Sequence, residues 1–116
     1  MARILVCEPN PEVRALLAHV VARLGHEPVQ AEDGPGDVLT DDADVLLIEP
    51  AYQRALSMAE MLRARQGELP IVCASIFPPT PESQELKPVA YLVKPFSLAD
   101  LEQALLEAVE LVSVAV

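Results

Sequence analysis

Five short apolar runs are spaced along the chain, at residues 4–7, 28–31, 45–48, 71–74 and 89–93. The runs at 4–7, 45–48 and 71–74 are continuously apolar rather than alternating, which is typical of parallel strands buried on both faces. Helical patterns lie between the runs. This alternation of strand and helix predicts a doubly wound α/β domain.

The first and last helices have well-marked boundaries. Asn10 is a candidate N-cap, Pro11 suits the first helical position, and Gly25 ends a stripe of apolar residues that includes Leu16 and Leu17. Ser97 and Asp100 resemble a capping box, and apolar residues then recur at helical spacing between positions 98 and 112. Both segments are therefore predicted as amphipathic helices.

The helices in the middle of the chain are less regular. The Gly-Pro-Gly sequence at 34–36 leaves room for only a short second helix before Asp44. Residues 55–66 predict a third helix. The four prolines between positions 77 and 88 restrict the fourth helix to about residues 82–86. We expect the second and fourth helices to be shortened.

Length and charge exclude several classes of protein. The 116 residues fit one domain, spanning positions 1–116. The net charge of −10 argues against nucleic-acid binding and against an anionic membrane surface. No apolar run approaches the roughly 18 residues of a membrane span, and the apolar N-terminus resembles a first strand rather than a signal peptide. We therefore expect a cytoplasmic protein that binds neither nucleic acid nor membranes.

The acidic residues are concentrated in one part of the chain. Eight of the 18 lie between positions 24 and 53, where there is no Lys or Arg. Seven of these eight belong to the region of the second strand and second helix. This flank is either a solvated edge or a docking surface for a basic partner.

Polar side chains follow four of the predicted strands. They are Glu8, Glu49, Ser75 and Lys94. In an open parallel sheet, ligands bind where the carboxyl ends of the strands meet, near the point at which strand order reverses. The sequence therefore predicts two carboxylates, a hydroxyl and a lysine at one end of the sheet.

Common enzyme motifs are missing from these positions. The first strand is followed by Glu-Pro-Asn-Pro rather than a GxGxxG turn, and the sequence contains no phosphate-binding GxxxxGK[ST] loop. Cys7 and Cys73 lie in apolar runs, and the two histidines have no metal-ligand spacing with them. We expect neither catalysis nor a metal site, although a small enzyme or nucleotide binder on the same fold is the competing class.

Taken together, these segments resemble the receiver domain of response regulators from two-component signalling. ARILVCEPNPEVRALLAHVVARLGHEPVQAEDG is similar to the family's opening, DVLLIE to its third strand, and AYLVKPFSLADLEQAL to its end. The resemblance covers the chain from Arg3 to about Glu110. It implies a flavodoxin-like (CheY-like) fold with a five-stranded parallel sheet in the order 2-1-3-4-5.

The resemblance also implies roles for individual residues. Glu49 stands where receivers carry the phosphoacceptor aspartate. Ser75 and Lys94 match the residues that contact the phosphoryl group. Tyr91 matches the aromatic residue that switches between states, and the Lys94–Pro95 bond matches a cis peptide.

Two departures from the family affect the phosphorylation site. Glu8 matches the first of two acidic residues that hold Mg²⁺, but Pro9 occupies the second position. Glu49 is one methylene longer than aspartate, and a displacement of about 1 Å can cost about 100-fold in rate. Mg²⁺ requires near-ideal octahedral oxygen ligands, so we expect no cofactor.

These departures predict a degenerate pseudo-receiver that acts as a phosphorylation-independent protein-interaction module. The alternative is a functional receiver with an atypical acceptor site. The resemblance implies signalling proteins as partners, and the apolar end of the last helix suggests a homodimer contact. For Glu49 itself two interpretations stay open: a charge-assisted contact with Lys94 and Ser75, or a solvated side chain at a strand end.

Overall fold

The computed structural model describes residues 2–30, 43–51 and 54–114, with side chains up to residue 112. Five strands lie within these ranges: β1 (Arg3–Cys7), β2 (Glu27–Gln30), β3 (Val45–Ile48), β4 (Ile71–Ser75) and β5 (Ala90–Val93). They form one parallel sheet in the order β2-β1-β3-β4-β5. The predicted flavodoxin-like topology is confirmed.

Four helices flank the sheet within the described ranges: α1 (Pro11–Arg23), α2 (Ala55–Gln66), α3 (Pro81–Glu85) and α4 (Leu98–Val114). The helix at 81–85 is short, as the prolines predicted. Its N-cap Thr80 and Ser83 form a capping box. The predicted second helix and most of the acidic flank fall at 31–42, outside the described residues.

Two apolar clusters cover the two faces of the sheet. Because side chains alternate along a strand, Leu5 and Cys7 enter one cluster and Ile4 and Val6 the other. The first cluster packs against α2, and the second packs against α1 and α4. The three central strands are buried on both faces, which explains their continuously apolar sequences.

Some predicted core positions are exposed. Leu16 has 62% of its surface accessible, whereas its neighbour Leu17 has 4%. The predicted stripe was one position too wide, because α1 turns Leu17, Val20 and Val21 towards the sheet. No helix in the described ranges has the length and apolar character needed to span a bilayer.

Candidate functional site

The parallel register places the carboxyl ends of the strands side by side. Cys7 pairs with Ile48, Ile48 with Cys73, and Ser75 with Val93. The Glu49 amide donates to the Cys7 carbonyl over 3.0 Å, and the Lys94 amide donates to the Ser75 carbonyl over 2.7 Å. The residues after β1, β3 and β5 therefore reach the same edge of the sheet as Ser75, the last residue of β4.

Glu8 and Lys94 form an ion pair at this edge. Lys94 Nζ donates to Glu8 Oε1, and the side chain of Glu8 is only 3% exposed. The Asn10 amide donates to Glu8 Oε2 over 3.4 Å. Lys94 thus extends past the ends of β4 and β3 to reach the carboxylate that follows β1.

One interpretation gave Glu49 a contact with both Lys94 and Ser75, and the structure contains the Ser75 part of it. Glu49 Oε1 accepts a 2.9 Å hydrogen bond from Ser75 Oγ, whereas Lys94 Nζ donates to Glu8. Glu49 is 8% exposed, so the alternative of a solvated side chain does not describe it.

The contacts of the Glu49 carboxyl group do not fully offset the cost of burying its charge. Its Oε2 is buried and has no hydrogen-bond partner among the described residues. Burial raises the pKa of Glu49 above its usual 4.5, and the Glu8 charge acts in the same direction. The hydrogen bond from Ser75 and the charge of Lys94 lower the pKa without cancelling the effect of burial.

We predict that Glu49→Gln changes how stability depends on pH. The folded chain holds the Glu49 proton more tightly than the unfolded chain, so ionisation costs stability as pH rises through the raised pKa. The stability of the Gln variant relative to the parent, measured by urea unfolding, should therefore increase as the pH rises above the usual glutamate value of 4.5. Glu60→Gln, on an exposed part of α2, is the matched control and should show no such trend. A parallel pH dependence in parent and Gln variant would contradict the prediction.

A chain of hydrogen bonds leads from Glu49 to Tyr91. Ser75 Oγ donates to Glu49 and accepts from the Phe77 amide over 3.1 Å. The Phe77 carbonyl in turn accepts a 2.9 Å bond from the Tyr91 hydroxyl. Tyr91 is half-buried and packs against the cluster beneath α2. Hydrogen bonds therefore connect Glu49 to the segment after β4 and, through that segment, to Tyr91, the candidate switch residue.

The loop after β5 has the features that its sequence predicted. The Lys94–Pro95 peptide bond, the candidate cis bond, is cis. The Asp100 amide donates to Ser97 Oγ over 3.0 Å, and the Ser97 amide donates to Asp100 Oδ2 over 3.3 Å. This reciprocal capping starts α4 directly after the loop that carries Lys94.

Two further residues, Asn10 and Arg14, contact Glu8 and were not predicted as part of the site. Asn10 caps α1 through its side-chain oxygen and also donates to Glu8 from its backbone. Arg14 Nη1 donates to the Glu8 carbonyl over 3.1 Å, while its Nε is buried without a partner among the described residues. The signal for Arg14 was its position one turn after the cap, which points it back towards the strand end.

No family model matches the chain, and no curated protein matches it closely. Solved structures do match. NtrX from Brucella abortus, crystallised with ADP, superposes with a TM-score of 0.84 at 20% identity over 98% of this chain, which spans only 27% of that protein. TrrA from Thermotoga maritima, crystallised with Mg²⁺-BeF, gives 0.79 at 22% identity, covering 93% of this chain and 99% of that one.

The chemotaxis response regulator CheY4 of Vibrio cholerae gives a TM-score of 0.78 at 20% identity, covering 93% of this chain and 98% of that one. The chain has the receiver-domain fold. Identities this low establish the fold alone. Within the receiver fold, Glu8, Glu49, Ser75 and Lys94 occupy the strand ends that the sequence resemblance assigned to them.

The donor set does not fit the Mg²⁺ site that the receiver fold implies. Pro9 offers no side-chain oxygen, and Glu8 Oε1 is bound by Lys94. Of the two carboxylates, only Glu49 has an uncommitted oxygen, at Oε2. Among residues 2–30, 43–51 and 54–114, no three His, Cys, Asp or Glu side chains are arranged to hold a metal.

The cysteines do not add a nucleophile to the site. Both thiols are free and buried, and Cys7 Sγ contacts Met58 Sδ at 3.9 Å. Burial raises the pKa of Cys73 to about 12, and the nearby Glu49 charge adds to the shift. Cys73 is therefore a neutral thiol near pH 7, consistent with its role as a small core residue.

Proposed function

We propose that this protein is a pseudo-receiver of two-component signalling, a protein-interaction module that works without being phosphorylated. One observation supports this most: the groups matching a receiver's phosphoryl contacts already bind side chains of the chain itself. Ser75 is bonded to Glu49, and Lys94 is paired with Glu8. A phosphoryl group could contact Ser75 and Lys94 only after both of these bonds had broken, which opposes phosphorylation. A glutamate without a fitting Mg²⁺ site is also a poor phosphoacceptor.

The hydrogen-bond chain supplies a mechanism for a constant conformation. With Glu49 holding Ser75, the Phe77 backbone and the Tyr91 hydroxyl are held without an added group. Charge-assisted hydrogen bonds such as that between Ser75 and a carboxylate are the stronger kind. The module would therefore present one surface to its partner at all times, with no cofactor and no catalysis of its own.

The test is exposure to a small-molecule phosphodonor with Mg²⁺, read by intact mass. We expect no phosphoryl adduct under conditions that modify an ordinary receiver in the same tube. A stable adduct of one phosphoryl group at Glu49 would instead establish the alternative, a functional receiver with an atypical acceptor.

The remaining expectations about partners and location belong to the same proposal. The partner is a signalling protein in the cytoplasm rather than a nucleic acid or a membrane. A homodimer through the last helix stays a prediction, supported by the half-exposed side chains of Leu98, Leu106 and Leu111 on α4. Sedimentation of the parent and of Leu106→Glu tests it, because a dimer through α4 should dissociate in the variant.

A further inference from the structure

An exposed apolar ridge, residues 76–81, follows directly from the last strand residue of the site. Ile76 is 62% exposed and Phe77 52%, and prolines occupy positions 78, 79 and 81. Neighbouring exposed apolar residues that form one patch are a common feature of binding sites.

The ridge is held in one conformation at both ends. Phe77 is bonded through its amide to Ser75 and through its carbonyl to Tyr91. At the other end the Thr80 amide donates to Ser83 Oγ over 2.8 Å, and the Ser83 amide donates to Thr80 Oγ1 over 3.1 Å. The prolines fix the backbone between these points. The ridge is therefore already ordered, and little of its conformational entropy is lost when a partner binds.

A cleft of about 290 Å³ adjoins the ridge. It is lined by residues 77–80 together with Pro50, Ala51, Ser83 and Tyr91. Its volume lies at the bottom of the ~300–1,000 Å³ range of small-molecule sites. The cleft is thus sized for one or two inserted side chains rather than for a cofactor.

The ridge continues into helix α3, whose charged residues are both acidic. Helix α3 carries Glu82 and Glu85 with no Lys or Arg. Lys94 is paired with Glu8, and Lys87 lines a different cleft with Asp44 and Val89, at the amino ends of the strands. A second copy docking through the same surface would bring its own Glu82 and Glu85 against this acidic pair, which disfavours self-association at the ridge.

We propose that the ridge and cleft form the docking surface for a segment of another protein that carries one bulky apolar anchor residue flanked by Lys or Arg. The anchor fills the cleft, and the basic residues lie against Glu82 and Glu85. This inference rests on the proposed function, since it names where the interaction module binds and which chemistry it selects. Because the ridge is tied to Glu49 through Ser75, the surface exists without phosphorylation.

The test uses three short synthetic peptides and the full chain labelled with ¹⁵N. One peptide has a single Trp flanked by lysines, one has Gly in place of Trp, and one has Glu in place of every lysine. At near-physiological salt, we expect the first to shift the amide resonances of Ala51, Phe77, Thr80 and Tyr91. It should bind at least about tenfold more tightly than either control peptide.

Matched protein variants locate the binding. Ala51→Trp fills the cleft and should abolish the shifts, whereas Ala15→Trp, at an exposed position of α1, should leave them unchanged. Equal binding of the three peptides, shifts confined to α4, or binding that survives Ala51→Trp would each overturn the proposal. Concentration-dependent shifts at the ridge without peptide would overturn it in favour of self-association. A negative result in the peptide-binding experiment does not affect the phosphodonor test. A phosphoryl adduct in the phosphodonor test would overturn the proposed function regardless of the peptide-binding result.

Discussion

Lys94→Met is expected to lower the free energy of unfolding by about 3–5 kcal/mol. The reason is the burial of its partner: the Glu8 side chain is 3% exposed and would be left without the cation that is bonded to it. The Asn10 amide, 3.4 Å from Glu8 Oε2, offers only a weak substitute. Removing one member of a buried ion pair costs more than the pair contributes, because the other charge remains desolvated.

Urea unfolding of a double-mutant cycle measures this effect. Glu8→Gln combined with Lys94→Met removes both charges at once, and it should recover most of the stability that Lys94→Met loses. Arg23→Met is the control for losing a positive charge at an exposed position, and it should cost no more than about 1 kcal/mol. If Lys94→Met is no more harmful than Arg23→Met, the pair between Glu8 and Lys94 does not stabilise the site.

The sheet could be predicted because its sequence signals are local and strong. The runs at 4–7, 45–48 and 71–74, within β1, β3 and β4, are apolar at every position, which is typical of strand segments covered on both faces. Once those strands are parallel, their carboxyl ends share one edge, so Glu8, Glu49, Ser75 and Lys94 had to approach one another. The meeting of these residues therefore followed from the strand assignment.

The hydrogen bond between Glu49 and Ser75 was one of the predicted contacts, but the partner of Lys94 could not be predicted, because it depends on how far each side chain reaches. Along the sheet, Glu49 is one strand nearer to Lys94 than Glu8 is, and the nearer carboxylate was the natural partner. In the structure, Ser75 donates a hydrogen bond to Glu49, and Lys94 forms its ion pair with Glu8. Strand order sets which residues share an edge, but it does not determine how deeply each carboxylate is buried.

The role of Phe77 was missed for a similar reason. Its part in the hydrogen-bond chain is played by its backbone amide and carbonyl, which any residue carries. The exposed side chain of Phe77 gives no sign of this role. Likewise Leu16 and Leu17 are the same residue type, and only the rotation of α1 against the sheet separates an exposed leucine from a buried one.

Two substitutions that restore the receiver pattern, Pro9→Asp and Glu49→Asp, should convert this chain into a phosphorylatable one. Pro9→Asp supplies the second acidic residue that the receiver resemblance requires, and Glu49→Asp shortens the acceptor by one methylene. With an aspartate at position 49, the distance from Ser75 Oγ to the carboxylate increases, so the present 2.9 Å bond is weakened. Ser75 and the acceptor then become available to an incoming phosphoryl group.

Intact mass after treatment with a phosphodonor measures the result. We expect the double variant Pro9→Asp with Glu49→Asp to gain one phosphoryl group only when Mg²⁺ is present, while the parent and Pro9→Asp alone gain none. Glu49→Asp alone should be modified far more slowly, because phosphoryl transfer depends on metal neutralisation of the oxygens as well as on the position of the acceptor. An Mg²⁺-dependent adduct on the parent would place the chain among functional receivers. A double variant that stays unmodified would mean that the Glu8–Lys94 pair, which both substitutions leave in place, is the stronger barrier, and Glu8→Asp would then be the next variant to measure.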